Sequence, residues 1–427
     1  MSEEEKLDAI IIGGGVAGLA CAYILAKEGR EVVVIERGTT CGSKNLSGGR
    51  IYIHSLLDLL GPELLDQAPL ERPIVKEQLT MASETGGVTL DYTDYSFKEG
   101  QIQSYSILRS IFDPWLADQA EAAGAMIVTG IQVDELIEKD GKIIGINAAG
   151  EEMLAEIVIA ADGVNSFIAQ RAGLRNDLTS HEVGIGVKEI IELPEETITN
   201  RFGLQTGEGA ARMYVGVTNG VSGGGFLYTN KTSISLGLVL NPQGLGTQSA
   251  RLHELMQNFK MHPAVYPLIA GGTTVEYGAH LVSESGFTGI PQKLYRDGLL
   301  VVGDAAGLVI NMGNTIRGMD LAIWSGMAAA RAILGAKSPT EIGPSYLANL
   351  NENVLPTMKI YAGFPKIMEI PRMFTEYPIL ANEMLHSLYA VDGSIPKKLP
   401  KTMLGIVKKN VSWGTLLSDG WKGVTSL

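Results

Sequence analysis

The chain has 427 residues, with 34 Lys and Arg against 47 Asp and Glu, a net charge of −13, and two cysteines. That balance argues against nucleic acid as the main partner, and two cysteines cannot supply an iron–sulfur cluster, a zinc site or a disulfide framework. No run reaches the ~18 apolar residues of a membrane span, and the acidic start carries no secretion signal, so the expected setting is cytoplasmic.

In chain order, Ala9–Ile12 form a wholly apolar run, the pattern of a strand buried on both faces. Gly13, Gly15 and Gly18 follow as GxGxxG. They give a tight turn, a close approach to a pyrophosphate, and close packing of helix on strand. Leu19 to Gly29 is the expected helix, with Gly29 as its cap. Val32–Ile35 is the next strand and ends at Glu36, about 20 residues past the loop, where a carboxylate can accept the ribose hydroxyls of a dinucleotide. Gly13, Gly15, Val16, Ala17, Gly18, Glu36 and Arg37 are therefore the first candidate cofactor contacts. The loop alone leaves FAD and NAD open. Cys21 reads as a small core residue, and Cys41, without a CxxC partner, as structural.

A second apolar run, Ile157–Ala161, ends in Asp162-Gly163. Four strands are then expected in "EVGIGVKEIIELP", "ARMYVGV", "GGGFLYTN" and "TSISLGLVLN". Their connections are too short for helical crossovers, so they are mostly antiparallel, with hairpin signals at Asn219-Gly220 and around Asn230. Phe226 and Tyr228 share a strand face and either line a substrate cavity or fill the core; the preceding triple glycine favours close approach to a ring. Leu252–Phe259 reads as a helix. No His pair has metal-ligand spacing, so no metal site is expected. In "LLVVGDAAGLV" an apolar strand stops at Gly303 and a bare carboxylate, Asp304, follows. Burying it without a donor costs several kcal/mol, roughly; either a ligand satisfies it or it caps the next helix. Asn311–Ile316 lead into a helical stretch, Arg317–Gly335, with apolar residues at Met319, Ile323 and Met327.

Taken together, GxGxxG, a strand ending in Asp162-Gly163 and a strand ending in GDAAG resemble the glutathione-reductase-like FAD fold, a Rossmann-type, three-layer α/β architecture. Within it the sequence looks most like the electron-transfer flavoprotein:quinone oxidoreductase family, FixC type, through "GGGFLYTN", "HPAVYPLIAGG", "GDAAG…GNTIRGMDLAI", "PRMFTEYPILA" and "DGWKGVTSL". The resemblance implies that Gly303-Asp304 meets the FAD ribityl chain and that Arg109 meets the phosphates. It implies that Val133 passes the adenine and that Ser47, Gly48 and Gly49 form a loop against the flavin ring. Gly313, Asn314, Thr315 and Ile316 would face the ring's pyrimidine edge with the helix dipole behind them. Arg317 either shares that task or makes a salt bridge.

The family also implies electron transfer from a two-subunit electron-transfer flavoprotein to quinone at a membrane surface, in some members with electron bifurcation. Longer members carry a four-cysteine iron–sulfur domain at the C-terminus. This C-terminus has no Cys, so a separate small ferredoxin-like subunit is expected. No catalytic side chain is expected, since electron transfer needs no acid–base triad. The expected division is an FAD-binding domain of residues 1–75, 105–180 and 276–340. An antiparallel-sheet quinone domain would take residues 76–104 and 181–275, and a helical segment, 341–427, would dock a membrane or partner. Residues Lys397–Leu427 hold six Lys and one Asp, interleaved with Trp413 and Trp421, which suits peripheral binding to the inner face of the cell membrane. The alternatives are a flavin monooxygenase or polyprenyl reductase using NAD(P)H, and an FAD-stabilised scaffold subunit.

Overall fold

The computed structural model describes residues 6–45, 48–99, 102–246, 251–312 and 315–426. The apolar runs read from the sequence become neighbours in one sheet, because strands buried on both faces need covering on both sides. Its order is Tyr295–Arg296, Leu299–Val301, Glu151–Ala160, Lys6–Ile12, Val32–Glu36, Met126–Thr129. All these neighbours pair in parallel except the short first strand. A hairpin of Val133–Lys139 and Lys142–Ala148 continues antiparallel from the start of Glu151–Ala160. Parallel pairing has one consequence for function. It brings Gly13, Glu36, Asp162 and Gly303, all at strand C-termini, to the same edge of the sheet.

Two helices cover one another beside that edge, Val16–Lys27 and Met319–Gly335. They approach so closely that a Cβ on Gly326 would lie 2.1 Å from the Ala17 carbonyl oxygen. The first helix starts at Val16, three residues before the expected Leu19, so its free amides lie directly behind Gly15. The later helix starts at Met319 and not at Arg317. Ile316–Arg317 instead pairs antiparallel with Ile310–Asn311, which removes Arg317 from the helix.

The second sheet has seven strands, in the order Thr273–Ser283, Val183–Glu192, Ser233–Leu240, Gly223–Thr229, Gly209–Val215, Ile74–Ser83, Gly86–Thr93. The pairings are antiparallel apart from Gly209–Val215 with Ile74–Ser83. Asn219 and Gly220 both have positive φ, 52° and 85°, as a tight hairpin turn demands. The chain then runs through Leu252–Met261 and, beyond residue 338, through a series of helices ending in Glu376–Tyr389, Leu399–Asn410 and Trp413–Thr425. These last three are longer than the short helical stretches expected. Helix Glu376–Tyr389 packs on strand Ile74–Ser83, so the C-terminal segment is attached to the second sheet. Among the described residues no helix is long and apolar enough to cross a membrane.

Candidate functional site

The strand ends of the first sheet open into a cleft of about 350 Å³. Its walls include Gly13, Gly15, Val16, Ala17, Glu36, Arg37, Arg109, Val133, Asp162, Gly163, Asp304 and Ile316, brought from seven separate stretches of chain. Gly18 does not line it. A Cβ there would lie 2.2 Å from the Gly13 carbonyl oxygen, so its task is to seat helix on loop. Gly303 is also behind the surface, with φ of 61° and its amide donating to Ser325 Oγ at 2.8 Å. Glu36 accepts from the amides of Gly14 at 2.8 Å and Gly38 at 2.5 Å. The carboxylate therefore shapes the glycine loop as well as facing the cleft. Arg109 opens helix Arg109–Ala122 and makes a bidentate pair with Asp113, at 2.5 and 2.6 Å. Asp113 is fully buried and was not foreseen; its position one helical turn after Arg109 was the available signal.

The two strand-end aspartates differ. Asp162 Oδ2 accepts from the Ile168 amide at 2.9 Å and so serves the short helix Phe167–Arg171, while Oδ1 is buried without a partner among the described residues. The carboxylate of Asp304 accepts no hydrogen bond from the described residues, so it is not a helix cap. Burial raises the Asp304 carboxyl above the ordinary range, opposed by Arg109, His280 and Arg175. Arg317 pairs with Asp320 at 2.6 Å and approaches His54 Nε2 at 3.3 Å. Of its two expected roles, the salt bridge is observed. Both cysteines are buried, and burial pushes each thiol up to about 12, which leaves neither as a nucleophile.

A second cavity, about 480 Å³, lies between the two sheets and the C-terminal segment. It shares Arg50, Arg109, Val282, Ile316 and Met319 with the cleft. Phe226 and Tyr228 line it, their rings 5.5 Å apart, and so do Gly48, Gly49 and Thr315. Met81, Met213, Met312, Met368, Met373 and Phe374 make its lining apolar and deformable. The ring that approaches the triple glycine belongs to the protein: a Cβ on Gly225 would lie 2.5 Å from Phe259 Cζ. Ser47, Gly313 and Asn314 lie outside the described residues. Lys188 and Glu284, which the sequence reading passed over, also line this cavity. Burial lowers the Lys188 ammonium to about 7, with Arg109 adding to the effect, and burial raises the Glu284 carboxyl to about 7. Lys188 stood out only as a lysine in "VGIGVKEIIE", on the face shared with Gly184 and Gly186.

Residues 6–200 match an FAD binding domain, residues 183–282 the ubiquinone-binding domain of ETF-QO, and residues 364–427 the ETF-QO/FixC family C-terminal domain. The FixC protein of Salmonella typhi is 46% identical over 99% of this chain and 100% of its own length. The chain belongs to the ETF-QO/FixC family. YdiS of Escherichia coli K12, a probable electron transfer flavoprotein-quinone oxidoreductase, is 40% identical over 99% of this chain and all of its own length. The fold is wider than the family. A geranylgeranyl bacteriochlorophyll reductase-like protein from Thermoplasma acidophilum superimposes with a TM-score of 0.70 at 20% identity, over 95% of this chain and 97% of that one. A myxobacterial chondrochloren halogenase does so with 0.65 at 18%, over 94% and 97%.

As an ETF-QO/FixC protein the chain is an FAD-binding oxidoreductase. The cleft fits that cofactor on its own chemistry. A glycine turn and helix amides suit a pyrophosphate. Carboxylate oxygens at Asp162 and Asp304 that lack donors among the described residues suit a chain of hydroxyls.

Proposed function

We propose that this chain accepts electrons from an electron-transfer flavoprotein, holds FAD in the first cleft and passes the electrons to a quinone in the second cavity. The observation that carries the reading is the wall common to the two spaces, a cleft lined by the glycine loop and the strand-end carboxylates beside an apolar cavity. Bound FAD supplies a two-electron redox centre; the protein positions it and its acceptor. In this reading the Gly13–Gly18 loop holds the pyrophosphate, Glu36 and Arg37 the adenosine side, and Val133 flanks the adenine. Asp304 accepts from the ribityl hydroxyls, and Arg109, already charge-balanced by Asp113, orients toward the phosphates. Thr315 and Ile316 sit where the ring would meet the second cavity. The domains divide by sheet, with residues 341–427 as the docking segment; strand Thr273–Ser283 pairs in the second sheet, so the last FAD segment begins after Ser283 and not at the expected residue 276.

The same reading places the protein at a membrane surface with a small ferredoxin-like subunit. Trp413, Leu417, Trp421 and Val424 are exposed on the last helix, and Lys397, Lys398, Lys401, Lys408, Lys409 and Lys422 are exposed around it. Phe364, Ile367, Met373 and Phe374 line the apolar cavity from the C-terminal segment. In this reading quinone enters from lipid along these side chains. Anaerobic mixing of the purified chain with a reduced electron-transfer flavoprotein tests the reading. Bleaching of the bound flavin followed by quinone reduction is expected. Rapid oxygen uptake driven by NAD(P)H and stimulated by an aromatic or prenyl compound would instead establish a monooxygenase or reductase. Failure of the flavin to take electrons from any flavoprotein donor would leave a scaffold subunit.

A further inference from the structure

Four charged side chains line the apolar cavity: Arg50, Arg109, Lys188 and Glu284. Two are already compensated, Arg50 by Glu77 at 2.5 Å and Arg109 by Asp113 at 2.5 Å. Among the described residues Lys188 donates only to the Gly48 carbonyl, and it stands 5.4 Å from the centre of the Phe226 ring. The Glu284 carboxyl accepts no hydrogen bond from the described residues, while its backbone carbonyl accepts from Asn311 Nδ2 at 3.3 Å. Placing an acid and an amine in an apolar space without pairing them costs stability. Such a cost is retained where the groups act on something that enters the space.

The geometry separates them. Gly184, Gly186 and Lys188 fall on one face of strand Val183–Glu192. Glu284 covers Gly184, since a Cβ there would lie 2.5 Å from Glu284 Oε1. Four residues of strand span roughly 13 Å, and Gly186, which lies between and lines the cavity, brings no side chain into the space where a flat ring would lie. We propose that Glu284 and Lys188 deliver the two protons that a quinone takes up with its two electrons, an inference that rests on the quinone reading of this cavity.

Two electrons would come from bound reduced flavin, whose own ring protons are released to water as it is oxidised. The Glu284 O–H bond breaks as one quinone oxygen gains a proton, leaving a carboxylate. A Lys188 N–H bond breaks as the other oxygen gains one, leaving a neutral amine. Both groups regain protons from water before the next quinone. Their ionisation suits this task, each lying near 7. Arg109 and Glu276 are the charged groups that act on Lys188 from neighbouring elements, and burial alone governs Glu284.

The test uses the FAD-loaded chain, reduced anaerobically and mixed with a short-chain ubiquinone or with ferricenium, an acceptor that takes an electron without a proton. Glu284→Gln and Lys188→Met are each expected to slow quinone reduction by about 10²-fold or more. Ferricenium reduction and FAD content stay unchanged, which shows that the variants fold. The wild-type rate falls as pH rises through about 7, where both groups lose their protons; Glu284→Gln and Lys188→Met each make that fall shallower, and Glu284→Asp restores the steeper one. Infrared difference spectra of quinone binding should show a protonated-carboxyl band that Glu284→Gln removes. A wild type that neither binds nor reduces the ubiquinone would end the quinone reading itself. A wild type that does both, with variants equal to it in rate and pH profile, would overturn the proton assignment alone.

Discussion

Asp304 and Lys188 are both charged residues placed where water is scarce, and their environments set opposite expectations. Asp304 has a half-buried carboxylate facing the cleft with no donor from the described residues, so a bound hydroxyl gains a charge-assisted hydrogen bond worth ~1.5–3 kcal/mol. Asp304→Ala should therefore weaken FAD binding by about 10- to 100-fold. Titration of the apoprotein with FAD measures this, and an unchanged affinity would remove Asp304 from the site. Lys188 is testable without any ligand. Its folded pKa, about 7, lies below the ordinary 10.5. Between those values the unfolded chain binds more protons than the folded one, so this residue makes stability rise with pH, by at most ~1.4 kcal/mol per unit. Lys188→Met should lose that slope, and urea midpoints for both proteins across this pH range check it.

At the scale of elements, the site depends on how two helices and a loop are seated. Gly13 has φ of 111°, a conformation that favours glycine, and a Cβ there would lie 2.3 Å from the Ala161 carbonyl oxygen. Gly326 does the matching work on the later helix, where it meets the backbone of Ala17. Gly326→Val should push the helices apart, lowering stability by ~1–3 kcal/mol through overpacking and lowering FAD content with it. Thermal unfolding and the flavin absorbance of the purified variant report both. An unaltered melting temperature would show that the crossing tolerates a side chain.

At the scale of the whole molecule, an acidic protein ends in a basic, aromatic surface. Ile395 is 95% exposed, Leu417 73% and Trp421 72%. That surface is anchored to the body through Asp419, which accepts from Arg372 at 2.6 and 2.7 Å and from Tyr377 at 2.6 Å. Tyr377 also lines the apolar cavity, so the last helix and the cavity wall share one network. Chain lacking Lys397–Leu427 should lose co-sedimentation with anionic vesicles. The full chain should lose part of its binding at high salt, each Lys near the surface contributing ~1 kcal/mol. Truncated chain that still sediments but no longer binds a ferredoxin-like subunit would make the tail a protein-docking element.

Features written in consecutive residues were legible: buried strands as apolar runs, the glycine loop by its spacing, and Asp162 and Asp304 by their place at strand ends. Four of the seven strands of the second sheet and its turn at Asn219-Gly220 were legible for the same reason, since strand period and turn chemistry are local. The first residue of a helix was not, because the amides behind Gly15 and the short ladder at Ile316–Arg317 depend on what packs beside them. Nor was the partner of a charge. Arg109 finds Asp113 and Arg317 finds Asp320 within their own segments, whereas Lys188 and Glu284 share a wall only because distant strands fold around one apolar space. Sequence by itself determined the cofactor cleft, because a dinucleotide is bound by backbone geometry that particular residues in a row impose. Tertiary structure decided the ionisation of the second cavity, because desolvation belongs to an enclosure and not to any stretch of chain.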